Sequence, residues 1–151
     1  MLPKLVARKI MKKNIMFLCT GNSCRSQMAE GFAHKYWDGE FNIYSAGTKK
    51  HGMNQYAMKV MADVGIDISS QFSKTVEELP EVTFHYVITV CDNAHETCPY
   101  FEGGKVIHVG FQDPPLLAKN LTNEEEILGI YSTVRDEIED FIKKMKSSLE
   151  G

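Results

Sequence analysis

The sequence predicts one α/β domain built on a parallel sheet with helices on both faces, and three observations carry that expectation. Short apolar runs of strand character alternate with segments whose apolar residues recur at helical spacing, the pattern of right-handed crossovers between parallel strands. A chain of 151 residues, 43% hydrophobic and 25% charged, has the size and composition of a single domain able to bury a core. Cys19, Cys91 and Asp113 each stand at or just after the end of an apolar run, and ligands of such sheets collect beyond the carboxyl ends of the strands.

Taken in order, Asn14 to Leu18 is the first strand and Ser26 opens the first helix, whose stripe is Met28, Ala29, Phe32, Ala33 and Tyr36. Asp38-Gly39 closes it. Phe41 to Ala46 alternates as a second strand and ends at Gly47. Ala57, Val60, Met61 and Val64 return at helical spacing with Gly65 as the stop, and Ser69-Ser70-Gln71 is polar loop. Phe84 to Val90 is nearly continuous in apolar residues, as expected of a strand covered on both faces. Lys105 to Val109 is the fourth strand, and Phe111-Gln112-Asp113-Pro114-Pro115 is the loop leaving it. From Asn123, the residues Ile127, Ile130, Val134, Ile138, Phe141, Ile142 and Met145 mark a long amphipathic helix. His85 and His108 belong to strand faces, and His34, His51 and His95 are expected at the surface.

The domain is expected over residues 13–151, with 1–12 as an N-terminal extension; Met11-Lys12-Lys13 resembles a second start. Lysines and an arginine precede an apolar run near the N-terminus. That run, Ile15 to Leu18, is shorter than the roughly 7 to 15 apolar residues an export signal needs, so a cytoplasmic monomer is expected. No stretch approaches the ~20 apolar residues of a membrane span. A net charge of -3 without any basic block leaves no footprint for nucleic acid.

Four cysteines in a cytosolic chain point to catalysis or metal binding rather than to a disulfide framework. Cys19, Cys24, Cys91 and Cys98, with His95, can be drawn as zinc ligands. Six residues separate Cys91 from Cys98, however, where structural zinc sites favour two to four. No metal or resident cofactor is expected.

The central motif is Cys19-Thr20-Gly21-Asn22-Ser23-Cys24-Arg25-Ser26-Gln27, read as strand end, tight loop and helix start. A loop of this length can turn the backbone N–H groups of Thr20 to Arg25 inward, and the helix N-terminus adds unpaired donors and its positive dipole end. The arrangement suits a tetrahedral oxyanion held over a thiolate. Free thiols titrate at about 8.5, and helix termini with nearby cations bring reactive cysteines to roughly 3.5 to 7.5. Arg25 supplies a planar fork for two oxygens of one anion. Gly21 is expected to take the positive φ such a loop needs, and Cys24 is expected to pack away from the anion.

This motif resembles the phosphate loop of low-molecular-weight protein tyrosine phosphatases, and Cys19 to Gly31 is more similar still to thioredoxin-coupled arsenate reductases built on that fold. The pair Cys91 and Cys98 favours the reductases. The resemblance covers the chain from about Lys13 onward and implies four parallel strands in the order 2-1-3-4. It also implies roles. Cys19 attacks arsenate held by the loop and Arg25, Asp113 protonates the departing oxygen, and Ser26 supports the thiolate. Cys91 then attacks Cys19 and releases arsenite, and Cys98 attacks Cys91, leaving a disulfide for thioredoxin. The resemblance implies an activity in arsenic detoxification.

Two rivals share the fold. A tyrosine phosphatase would use the same loop, but Gln27 stands where phosphatases carry proline, and Pro115-Leu116 stands where they carry tyrosines. A phosphate-binding or phosphocarrier module would have no need of Arg25 together with Asp113. Two further expectations follow. If Cys91 to Cys98 is helical when reduced, seven steps of about 1.5 Å place the two Cα atoms roughly 10 Å apart, so the segment must unwind to form its disulfide. Some relatives bind potassium behind the loop through residues matching Asn22, Glu30 and Ser45 plus an aspartate. Here Lys74 takes the aspartate's position, and its ammonium can sit near Glu30 in place of the ion.

Overall fold

The computed structural model describes residues 12–37, 39–91 and 104–150. Within them the chain runs β1 (Lys13–Cys19), α1 (Arg25–Tyr36), β2 (Phe41–Gly47), α2 (Gln55–Asp63), a 3₁₀ turn (Val76–Glu78), β3 (Tyr86–Thr89), β4 (Lys105–His108), α3 (Pro114–Leu117) and α4 (Glu124–Glu150). The four strands form one sheet in the order β2-β1-β3-β4, parallel throughout. This is the order that the family resemblance implies.

β1 is the axis of the molecule because it lies between two partners and is apolar on both sides. Its residues Ile15, Phe17 and Cys19 face a core shared with α1, α2 and α4, including Phe32, Met61, Val134, Ile138 and Ile142. Met16 and Leu18 face a second cluster with Ala46, Phe84 and Val87, closed by Val76 and Leu79 at the 3₁₀ turn. Alternation along one strand thus feeds two cores, as the two-residue period of a β-strand requires.

Trp37 follows α1 and is fully buried. Its ring lies 5.8 Å from Phe17 and 5.7 Å from Phe41, and its Nε1–H donates to the carbonyl of Ile142 at 3.1 Å. One side chain therefore joins the sheet, the end of α1 and the long α4; truncation of such a residue costs about 3–5 kcal/mol.

α2 starts under an Asn54 cap, whose side chain accepts from the Ala57 N–H at 3.0 Å, and stops at Val64 before Gly65 at φ 82°. α4 begins where Asn123 accepts from the Glu126 N–H at 3.1 Å.

Two local expectations are corrected. The segment after β4 was expected as plain loop, yet Pro114–Leu117 forms a short helix with Asp113 at its N-cap position; proline suits the first helical turn, where its missing N–H is not needed. The strand expected over Phe84 to Val90 is ladder-paired only from Tyr86 to Thr89. His108 is on β4 as expected and bonds Thr89 Oγ1 at 2.8 Å, whereas His85 precedes β3, is exposed, and accepts from the Asn14 N–H at 3.0 Å. Asp38, His95 and Cys98, and with them the expected helix-to-disulfide switch, lie outside the described residues, as does the extension 1–11.

Candidate active site

Cys19 is the last residue of β1, in register with Gly47 at the end of β2. Gly47 has to be small. A Cβ there would stand 2.6 Å from the Thr20 carbonyl and 2.9 Å from the Asn22 nitrogen. The chain then curls and enters α1 at Arg25, and a pocket of about 190 Å³ opens over the sulfur.

Its floor is formed by Cys19, Cys24 and Arg25, exposed by 3%, 4% and 5% respectively. Thr20, Gly21 and Ser23 complete the loop side, and Asp113, Pro115 and His51 line the rest of the pocket. Among the described residues no hydrogen bond engages the backbone N–H of Gly21, Ser23 or Cys24. Arg25 is fixed rather than swinging: Nη1 donates to the Phe111 carbonyl at 3.0 Å, and Nη2 lies 3.6 Å from Asp113 Oδ1. The segment leaving β4 thus carries Asp113 to the same pocket.

Behind the loop the polar groups are interlocked. Asn22 is the one non-glycine residue with positive φ among those described, at 46°, and its side chain is fully buried. Its Oδ1 accepts from the Lys74 N–H and from Gln27 Nε2, both at 2.9 Å. That fixes which end of the amide is the donor. Nδ2 donates to Ser26 Oγ at 2.9 Å and to Ser45 Oγ at 3.1 Å. Ser26 Oγ in turn lies within hydrogen-bonding distance of Cys19 Sγ, 2.9 Å away, and the Asn22 N–H reaches the same sulfur at 3.3 Å.

Ser45 in turn donates to Glu30 Oε1. Lys74, 8% exposed, points its ammonium into this cluster: Nζ donates to the Phe72 carbonyl at 3.0 Å and to Ser45 Oγ at 3.5 Å, and lies 3.9 Å from Glu30 Oε1. Burial pushes the Lys74 pKa down, while Glu30 and Glu78 pull it back up. The four residues expected behind the loop, Asn22, Glu30, Ser45 and Lys74, are brought together.

Three readings need correction. Gly21 does not take the positive φ expected of it, which falls on Asn22; an asparagine tolerates that conformation and here gains four side-chain bonds from it. Gly21 is required for space instead, because a Cβ there would stand 2.5 Å from Nδ1 of His51. His51 is exposed, as expected, but it also lines the pocket. Cys24 packs into the apolar core and yet contributes to the pocket floor. Burial pushes its thiol far above the ordinary range, against the pull of Arg25.

Gln27 was expected only as a departure from the phosphatases. It is fully buried, and Nε2 donates to the Asn22 carbonyl at 3.1 Å and to the Phe72 carbonyl at 3.0 Å, while Gln71 Nε2 donates to its Oε1 at 2.8 Å. The sequence signal was its departure from the phosphatases' proline; nothing local marked its bonds to residues 71 and 72.

Cys91 lies two residues beyond β3. Thr89 pairs with Leu18, and the Val90 N–H donates to the Leu18 carbonyl at 3.0 Å, so Cys91 follows directly beside the end of β1. It is fully buried and disulfide-bonded, with its partner outside the described residues, whereas Cys19 and Cys24 are free thiols.

Comparison with known proteins sets this pocket among others. Residues 14–151 match the family described as low molecular weight phosphotyrosine protein phosphatase. An arsenate reductase of Halalkalibacterium halodurans is 47% identical over 133 residues, 87% of this chain and 94% of that protein. A solved structure described as an arsenate reductase in the phosphate binding state superposes with a TM-score of 0.72 at 28% identity, covering 90% of this chain and 98% of the other. A thioredoxin-dependent arsenate reductase of Corynebacterium glutamicum shares the fold at 22% identity with a TM-score of 0.59, covering 91% of this chain and 63% of that one.

Proposed function

The chain belongs to the low molecular weight phosphotyrosine protein phosphatase family, and within it we propose that it is an arsenate reductase working through a three-cysteine relay. The observation that carries this reading is a free Cys19 in the oxyanion pocket with the disulfide-bonded Cys91 just beyond the end of the neighbouring strand β3.

Arsenate binds with its oxygens toward Arg25 and the open N–H groups of Gly21, Ser23 and Cys24, donors that favour negative charge. The hydroxyl of Ser26 and the Asn22 N–H stabilise the charge that a nucleophilic sulfur carries. Cys19 Sγ forms a bond to arsenic, and one oxygen leaves as water after taking a proton from Asp113. Cys91 then attacks Cys19 Sγ. The S–As bond breaks with both electrons going to arsenic, which leaves as arsenite, and a Cys19–Cys91 disulfide remains. Cys98 attacks Cys91, frees Cys19, and forms the disulfide that thioredoxin reduces. Two thiols lose the two electrons that arsenic gains, so the relay needs no resident cofactor.

A reducing cytoplasm is the compartment suited to this chemistry, and the enzyme works as a monomer. No helix among the described residues is long and apolar enough to cross a membrane. The test is arsenate-dependent oxidation of reduced thioredoxin by the purified protein. Consumption of thioredoxin in step with arsenite production supports the proposal. Steady hydrolysis of an aryl phosphate with no arsenate-dependent oxidation would replace it with a phosphatase.

A further inference from the structure

The relay leaves one wall of the pocket unused. His51 belongs to the stretch between β2 and α2, and that stretch is tied to the loop by backbone bonds from Lys49 to Thr20 at 3.0 Å, from His51 to Gly21 at 3.1 Å and from Asn54 to Ser23 at 3.1 Å. The imidazole lies against Gly21: a Cβ on that residue would meet Nδ1 at 2.5 Å, Cγ at 3.0 Å and Cε1 at 3.1 Å. The backbone that carries the ring is thus fixed to the loop, and the loop has a glycine where the ring rests. Among the described residues neither ring nitrogen has a hydrogen-bond partner, and an imidazole always carries at least one N–H.

The pocket has a floor and a rim. Cys19 and Arg25 are nearly inaccessible, whereas His51 and Pro115 are exposed and Asp113 retains 29% of its side-chain exposure. A tetrahedral oxyanion seated on the sulfur turns three oxygens toward the loop and one toward that rim. In an inorganic oxyanion the rim oxygen is bare; in an ester it carries the organic group.

We propose that His51 is a specificity residue that donates its ring N–H to the rim oxygen of an inorganic oxyanion and occupies the path an ester's organic group would need. The inference rests on the oxyanion reading of the pocket given above and assigns that site its preference for a small, unesterified substrate. Arg25 and the loop amides hold any such anion; His51 separates the bare one from the substituted one.

Binding can be read without turnover. The reduced full-length protein is treated with iodoacetamide, alkylation of Cys19 is followed by mass spectrometry, and protection is titrated with inorganic phosphate and with phenyl phosphate. In His51→Ala the half-protecting concentration of inorganic phosphate rises about tenfold, the scale of one hydrogen bond to a charged oxygen, while that of phenyl phosphate does not rise. His51→Gln, which keeps an N–H donor, restores the preference for inorganic phosphate. The KM for arsenate follows the phosphate series with kcat changed far less. An inorganic phosphate shift below about twofold, or equal weakening of both anions, would overturn the assignment, since one hydrogen bond is worth more than that. A wild-type protein that phosphate protects but that reduces no arsenate would refute the proposed function and leave the His51 test intact.

Discussion

The loop between β1 and α1 has two sides that use their polar groups in opposite ways. On the pocket side, the N–H groups of Gly21, Ser23 and Cys24 and the ring of His51 make no hydrogen bonds among the described residues. On the far side, Asn22, Ser26, Gln27, Ser45 and Lys74 bond one another, and no buried side-chain nitrogen or oxygen among the described residues lacks a partner. A site that must bind and release an anion needs donors that water can satisfy in the interval, whereas a buried donor left unpaired costs about 1–3 kcal/mol. The open side keeps its shape because the closed side supplies it. Asn22 is the hinge between them: a left-handed non-glycine residue costs of order 1–3 kcal/mol, and the bonds from Gln27 and Lys74 hold it there.

The comparison predicts that damage to the open side removes activity more than stability. Arg25→Lys keeps the charge but not the fork that meets both Phe111 and Asp113, and kcat/KM for arsenate is expected to fall by about 10²–10³. Thermal melting and steady-state kinetics on one preparation check this; a large loss of melting temperature with near-normal kcat/KM would erase the distinction. Damage to the closed side should appear in both. Gln27→Ala removes the donor to the buried Asn22 carbonyl and loosens the Asn22 side chain, and is expected to cost about 2–3 kcal/mol, or roughly 5–10 °C in Tm for a domain of this size. Arsenate turnover should drop with it, and an unaltered melting curve would show that the network is dispensable.

The smallest effect concerns Lys74. Its ammonium lies beside Glu30 and Ser45, so a potassium ion would meet a like charge there. The wild-type protein should show equal activity and Tm in potassium and sodium chloride at constant ionic strength. Lys74→Asp should restore a preference, regaining about 1 kcal/mol in potassium over sodium. Stimulation of the unmodified protein by potassium would contradict this placement.

What could be read from residues alone divides along the same line. The strand runs and helical stripes were legible because burial imposes periods of 2 and 3.6 on whole segments. The meeting of Cys19 and Asp113 followed, since parallel strands deliver their carboxyl ends to one edge. Lys74 was reachable as a departure from a pattern. Gln27 stood out in the same way, but its bonds did not, because its partners Phe72 and Gln71 return from more than 40 residues away, and no period records that. His51 was assigned to the surface on polarity, and it is exposed. Its place on the pocket comes from three backbone bonds between two loops, which side-chain character does not reveal. The positive φ went to Gly21 by the usual preference, yet steric contact with His51 explains the glycine and hydrogen bonding explains Asn22.

The order in which the cysteines act is the core of the relay. Cys98→Ser removes the thiol that would free Cys19, so the relay should stop one step early. After a single turnover with arsenate, peptide mapping under non-reducing conditions should recover one linked pair, Cys19 with Cys91, in amounts matching the arsenite released. Arsenite release with Cys19 and Cys91 both recovered as free thiols would contradict the relay.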